Sequence, residues 1–91
     1  MPKYKAAIEL LEIGGRRTPT VAGYRPHLVL YDQADYLGIK FCDPMNFGIN
    51  EVSFECLYEH IDYSAIEVGS HFTIREGSGI VGIGKIVGII S

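Results

Sequence analysis

The sequence predicts an all-β domain, a barrel or a sandwich of about six short strands. Three observations carry this. Apolar residues recur at every second position along most of the chain, the period of a half-buried strand. Turn-forming residues separate these runs, and eleven of the 91 residues are glycine. No segment shows a convincing amphipathic helix.

The first strand is read from Tyr4, Ala6, Ile8 and Leu10 alternating with Lys5, Ala7, Glu9 and Leu11. Its Ala, Glu and Leu content leaves a helix as the minor alternative. Gly14-Gly15 ends it. His27–Tyr31 is a short apolar strand, and Gly38–Phe41 is another. Asp43-Pro44 and the Asn46–Asn50 stretch mark turns. Val52, Phe54, Cys56 and Tyr58 then alternate with Ser53, Glu55, Leu57 and Glu59, the cleanest half-buried strand in the chain. After Val68-Gly69-Ser70, Phe72 and Ile74 alternate with Thr73 and Arg75. The Glu76–Gly79 turn leads into a last strand, where Val81, Ile83, Lys85, Val87 and Ile89 alternate with Ile80, Gly82, Gly84, Ile86 and Gly88. Closure of such strands into a barrel removes the exposed edges they would otherwise present.

Composition narrows the class. A chain of 91 residues with 47% hydrophobic and 21% charged residues is one small globular domain, spanning 1–91. No apolar run approaches the roughly 20 residues of a membrane helix, and the richest one, Gly79–Ile90, is broken by Lys85. The N-terminal stretch carries Glu9 within its apolar part and shows no signal-peptide pattern, so a soluble cytoplasmic protein with no membrane partner is expected. Cys42 and Cys56 are too few for a disulfide framework and form no CxxC. Free thiols are the expectation for a cytosolic chain, with a single bridge as the alternative.

The net charge of −3 does not advertise nucleic-acid binding, but its distribution is uneven. Residues 41–69 hold six acids and no Lys or Arg. Residues 13–31 are the opposite, with Arg16, Arg17 and Arg25 and no acid. Glycines and prolines in that segment suit a rigid connection between strands. Tyr24 and Arg25 are expected to pack over the barrel end, with Arg25 bonded to carbonyls or a carboxylate. Arg16 and Arg17 are candidates to meet phosphates from the turn.

Several patterns weigh against enzymatic function. Gly77-Ser-Gly79-Ile-Val-Gly82 matches GxGxxG, but the residues that follow alternate instead of forming the helix a dinucleotide needs. A hairpin turn followed by a glycine-kinked strand explains it. There is no phosphate-cradling GxxxxGK[ST] loop. His27, His60 and His71 have no metal-like spacing, so no metal or cofactor is expected. Glu51, Glu55 and Glu59 fit a solvated strand face better than acid–base catalysis.

GGRRTPTVAGYRP at 14–26 resembles the GGR-x-T-P-x-x-x-GYRP stretch of the third, C-terminal domain of translation elongation factor Tu. HFTIREGSGIVGIGKIVGII at 71–90 resembles that domain's closing RF-x-IREG-x-x-x-VG-x-G-x-V segment, and Asp35–Gly38 sits where the family has D-V-T-G. The two longer matches come in the family's order, and residues 39–70 between them are weakly similar. The resemblance implies a six-stranded antiparallel Greek-key barrel. It also implies a module that helps hold the T-stem of aminoacyl-tRNA and meets an exchange factor.

Position by position, Arg16 matches the arginine of the GGR turn, which contacts the tRNA backbone. Arg75 and Gly77 match the arginine and a glycine of the IREG loop on the RNA-facing side. Arg17 replaces what is often histidine and keeps positive character. Other positions depart: His27 replaces glutamine after GYRP, Leu37 replaces the threonine of DVTG, and Gly79 stands where the family has a second arginine. Asp62 lies near where some members carry an RNA-reaching lysine. Each lost phosphate contact lowers a salt-sensitive affinity term.

The resulting expectation is a non-catalytic module binding tRNA or other structured RNA through Arg16, Arg17, Arg75 and Gly77, or a translation-related protein partner. As a protein-interaction module it would mimic or compete with the factor. Tyr31, Tyr36, Phe41, Phe47, Tyr58 and Tyr63 are candidates for an apolar docking or homo-oligomer face. A cysteine-dependent enzyme built on Cys42 or Cys56 is the remaining alternative.

Overall fold

The computed structural model describes residues 3–90. The 1–91 domain expectation extends to Met1, Pro2 and Ser91, which lie outside the described residues. Six strands form: β1 (Lys3–Leu10), β2 (His27–Leu30), β3 (Leu37–Phe41), β4 (Gly48–Cys56), β5 (His71–Glu76) and β6 (Gly79–Ile90). They close into one barrel in the order β1-β4-β3-β2-β5-β6, with β6 pairing back onto β1. Every pairing is antiparallel. Strands β2, β3 and β4 run as a meander, and β5 returns to lie beside β2, which is a Greek key. No helix occurs among the described residues, and none is long and apolar enough to cross a membrane.

Alternation builds the core. Tyr4, Ala6, Ile8 and Leu10 of β1 point inward, as do Val52, Phe54 and Cys56 of β4 and Phe72 and Ile74 of β5. Phe54 sits at the centre, with its ring 5.3 Å from Tyr4, 5.8 Å from Phe41 and 6.4 Å from Phe72. Two of the expected alternations are interrupted. On β6, Gly82, Gly84 and Ile86 lie opposite inward Leu10, Ile8 and Ala6, so the glycines face the interior. Register shifts at Ile74/Arg75 and Lys5/Ala6 break the simple period of two. On β4, the strand stops at Cys56, and Tyr58 turns out to solvent.

The long connection between β1 and β2 is tied down along its second half. Thr20 bridges Met45 in both directions, and its hydroxyl also accepts from the Met45 N–H at 3.2 Å. Gly23 N–H donates to the Phe41 carbonyl, Phe41 N–H to Tyr24, and Ile39 N–H to Pro26. The segment therefore runs against β3 as an irregular extra edge. This supports its reading as a rigid connection.

Candidate nucleic-acid interface

The β1–β2 connection and the β5–β6 hairpin meet at one end of the barrel, at Glu76. Arg16 Nη1 and the Tyr24 hydroxyl both donate to Glu76 Oε2. The Arg16 guanidinium also lies 4.8 Å over the Tyr24 ring, and its Nε donates to the Thr18 carbonyl at 3.0 Å. Tyr24 in turn stacks on core Phe41 at 6.1 Å. Burial opposes the Arg16 charge, but its bonds to Tyr24 and Glu76 outweigh that and hold its pKa above the ordinary value. Burial, then the bond to Glu76, pushes the Tyr24 phenol pKa up. At neutral pH the group is a cation, an anion and a neutral phenol, which locks the connection to the barrel and carries no net charge.

This corrects one expectation. The arginine that takes a carboxylate at the barrel end is Arg16, whereas Arg25 is exposed and makes no ion pair among the described residues. Arg25 follows Tyr24 and precedes buried Pro26, and extended backbone turns its side chain away from the end that Tyr24 covers. Tyr24 packs as expected.

Arg75 precedes Glu76, and the pleat puts it on the opposite side of β5. There its Nε donates to Thr73 Oγ1 at 3.0 Å and its Nη1 reaches the Tyr36 hydroxyl at 3.4 Å. Its guanidinium lies 5.6 Å over the Tyr36 ring. His27, directly across the ladder from Arg75, meets the same ring edge-on at 5.7 Å. Arg75 makes no ion pair among the described residues. A held cation and an exposed aromatic thus form a small platform on the outer face.

The turn after Glu76 is a two-residue hairpin with Gly77 at its first central position and φ of 60°. A glycine there suits a tight hairpin matched to strand twist. GxGxxG accordingly opens a strand, as expected, and no helix follows. Arg17 is exposed. The four expected contact residues thus divide: Arg16 is locked next to the Gly77 turn, while Arg75 belongs to the Tyr36 platform. Sequence reasoning placed Tyr36 in a general aromatic patch and noted His27 as a departure and as a histidine without metal-like spacing, and it brought neither to Arg75. Their convergence on Arg75 depends on the ladder between β2 and β5, for which local sequence has no signal.

Acids flank the platform. Asp35, Tyr36, Leu37, His60, Ile61 and Asp62 line a common hollow. Hydrogen bonds from Ser64 hold the Asp62 carboxyl below its ordinary pKa, so it is charged at neutral pH. Elsewhere the outer carboxylates pair with lysines, Glu51 with Lys5 at 3.0 Å and Glu55 with Lys40 at 3.4 Å. Glu59 falls beyond the end of β4.

Cys42 and Cys56 are free. Burial pushes the Cys56 thiol up to about 11, so it stays protonated and a poor nucleophile at neutral pH. Each histidine ring rests against a tyrosine: His27 on Tyr36, His60 on Tyr58 and His71 on Tyr31. No group of three or more metal-capable side chains occurs among the described residues. The expected aromatic patch is also broken up. Phe41 and Tyr63 are core residues and Phe47 is half-buried, while Tyr31, Tyr36 and Tyr58 are exposed. Tyr63 is drawn inside because its hydroxyl donates to the Gly38 carbonyl at 2.6 Å. No protein-family model matches the chain.

Proposed function

We propose that this chain is a non-catalytic, cytoplasmic RNA-binding module similar to the third barrel of elongation factor Tu, meeting structured RNA of the tRNA kind through its Arg75 face. The observation that carries this is the Arg75 guanidinium held over exposed Tyr36 beside His27, with no ion-pair partner among the described residues. A cation fixed on an aromatic suits a phosphate next to an unstacked or terminal base. Arg17 adds a second, exposed cation, and the Gly77 turn lets a backbone approach closely. Arg16 contributes structure first, because Glu76 neutralises it.

The acids at Asp35 and Asp62 and the net charge of −3 limit affinity. Binding in the non-specific range of roughly 10⁻⁴–10⁻⁶ M is expected at physiological salt. Fluorescence anisotropy with labelled tRNA across a salt series tests the reading. Arg75→Ala and Arg17→Ala should each flatten the slope of log K against log salt by about 0.7–0.9. Absence of binding at low salt, or slopes unchanged in both variants, rejects it.

A second reading is favoured by Ile13 and Val21, which stand 96% and 74% exposed on the β1–β2 connection. Such side chains suit a translation-related protein partner. A pull-down that recovers the same translation proteins with Ile13→Ser/Val21→Ser as with the wild type would remove these residues from that role.

A further inference from the structure

We propose that the outer face of β1 and β6 is a self-complementary dimer interface that takes a second copy of this chain. The face is built around Ala7, the small outward residue between Lys5 and Glu9. Ile49 of β4 and Ile83 of β6 flank Glu9 across the two ladders, and Lys85 flanks Ala7. Together with Tyr31 these residues line a shallow hollow of about 210 Å³. That is below the roughly 300–1,000 Å³ of small-molecule pockets, so it suits inserted side chains better than a ligand. Ile49 and Tyr31 stand 77% and 64% exposed at its rim.

Charge points to a second copy. Lys5 of β1 pairs with Glu51 of β4, and Lys40 of β3 pairs with Glu55 of β4, while Lys3, at the far end of β1 from the hollow, makes no ion pair among the described residues. Glu9 and Lys85, which border the hollow, make no ion pair among the described residues. They are opposite in sign and lie diagonally on adjacent strands. A two-fold axis lying in the face and bisecting the line between them sets each Glu9 against the other copy's Lys85. A closed two-fold contact needs this kind of self-complementarity. Each copy offers protruding Ile49 as well as the hollow. A standard interface takes about 800 Å² per partner, about 15% of this chain's 5215 Å². One broad face of a small barrel can supply that.

Sedimentation velocity over a concentration series tests this, with circular dichroism to confirm folding. The wild type should show a reversible monomer–dimer equilibrium. Glu9→Lys and Lys85→Glu should each weaken it at least about tenfold, because like charges then oppose across the axis twice. Glu9→Lys/Lys85→Glu should restore dimerisation, and Ile49→Asp should abolish it in a folded chain. A wild type that is monomeric throughout overturns the proposal. So does a dimer indifferent to these substitutions, or a double variant as weak as the singles. Arg75 and Tyr36 lie outside the face, so the result is independent of RNA binding.

Discussion

Glu76→Gln separates the structural role of Arg16 from its electrostatic one. Gln keeps the shape of the side chain and an oxygen that can accept from Arg16 and Tyr24, but removes the charge. Hydrogen bonds to charged groups contribute about 1.5–3 kcal/mol and neutral ones about 1 kcal/mol. Glu76 is 41% exposed on its side chain, so solvent screening discounts the difference. The loss expected is about 1 kcal/mol, which lowers Tm by roughly 4–8 °C in a domain of this size. The same change releases the Arg16 charge and removes one anion from the barrel end. Affinity for tRNA should rise, and the slope of log K against log salt should steepen by about 0.7–0.9, the signature of one added phosphate contact. Thermal melting and anisotropy on the same preparation read both effects. A variant as stable as the wild type would refute the lock between the connection and β5. A destabilised variant with an unchanged slope would take Arg16 out of the RNA interface altogether.

Gly84→Ala should destabilise by about 1–3 kcal/mol in chemical denaturation, since overpacking forces neighbours to move; its Cβ would stand 2.7 Å from Phe72 and 2.9 Å from the Ala7 carbonyl. Cys56 has its folded pKa raised from 9.0 to about 11. The neutral thiol therefore contributes stability that is fully present below pH 9.0 and is lost as pH rises towards 11. Urea titrations of the wild type and Cys56→Ala should diverge over that window, and a thiol reagent at neutral pH should modify Cys42 well before Cys56. Tyr63→Phe removes the hydroxyl that donates to the Gly38 carbonyl and accepts from the Tyr58 N–H. It should cost about 0.5–1.5 kcal/mol, the net contribution of a hydrogen bond, because the Leu57 N–H still donates to the Gly38 carbonyl.

Strand existence was legible wherever one face is buried along an unbroken ladder, as in β1, because period two is then imposed on the sequence. It failed at a strand end and where the ladder slips. β4 begins at Gly48, inside what reads as an Asn-rich turn. β1 extends far enough to pair Leu10 with Gly48, and the Asn50 amide bonds the Asn46 and Gly48 carbonyls. The inward face of β6 was hidden because its inward positions include Gly82 and Gly84, whose lack of side chain admits Ile74 and Phe72 from the neighbouring strand β5. At the candidate site, residue types were legible and partners were not. Which arginine meets a carboxylate depends on Glu76, sixty positions from Arg16. No local pattern could distinguish Arg16 from Arg25. The aromatic residues posed the same difficulty. Phe41 and Tyr36 look alike in composition, yet one lies on the inner face of β3 and the other just before the strand starts.

The charge offered on each side of β5 is therefore set by the pleat. Arg75 and Glu76 are adjacent in sequence and point to opposite sides of β5. Glu76 is delivered to the barrel end, where it cancels Arg16 and ties the long connection down. Arg75 is delivered to the outer face, where Thr73, Tyr36 and His27 orient it and no carboxylate pairs with it among the described residues. A one-residue slip of β5 would exchange these roles, freeing the lock and burying the platform's cation at the barrel end. The shift at Ile74/Arg75 lies at this point, with Ile74 opposite Gly82 and Arg75 opposite Ile80. Val81 is the extra residue between them, and it is buried. That bulge keeps Glu76 opposite Gly79 at the two-residue turn while the core register of Phe72 and Ile74 is preserved. Fold and candidate site are thus coupled through a single irregularity in one ladder. Deleting Val81 should disturb the Arg16 lock and the Arg75 platform together, whereas substitutions at Arg17 should leave both in place.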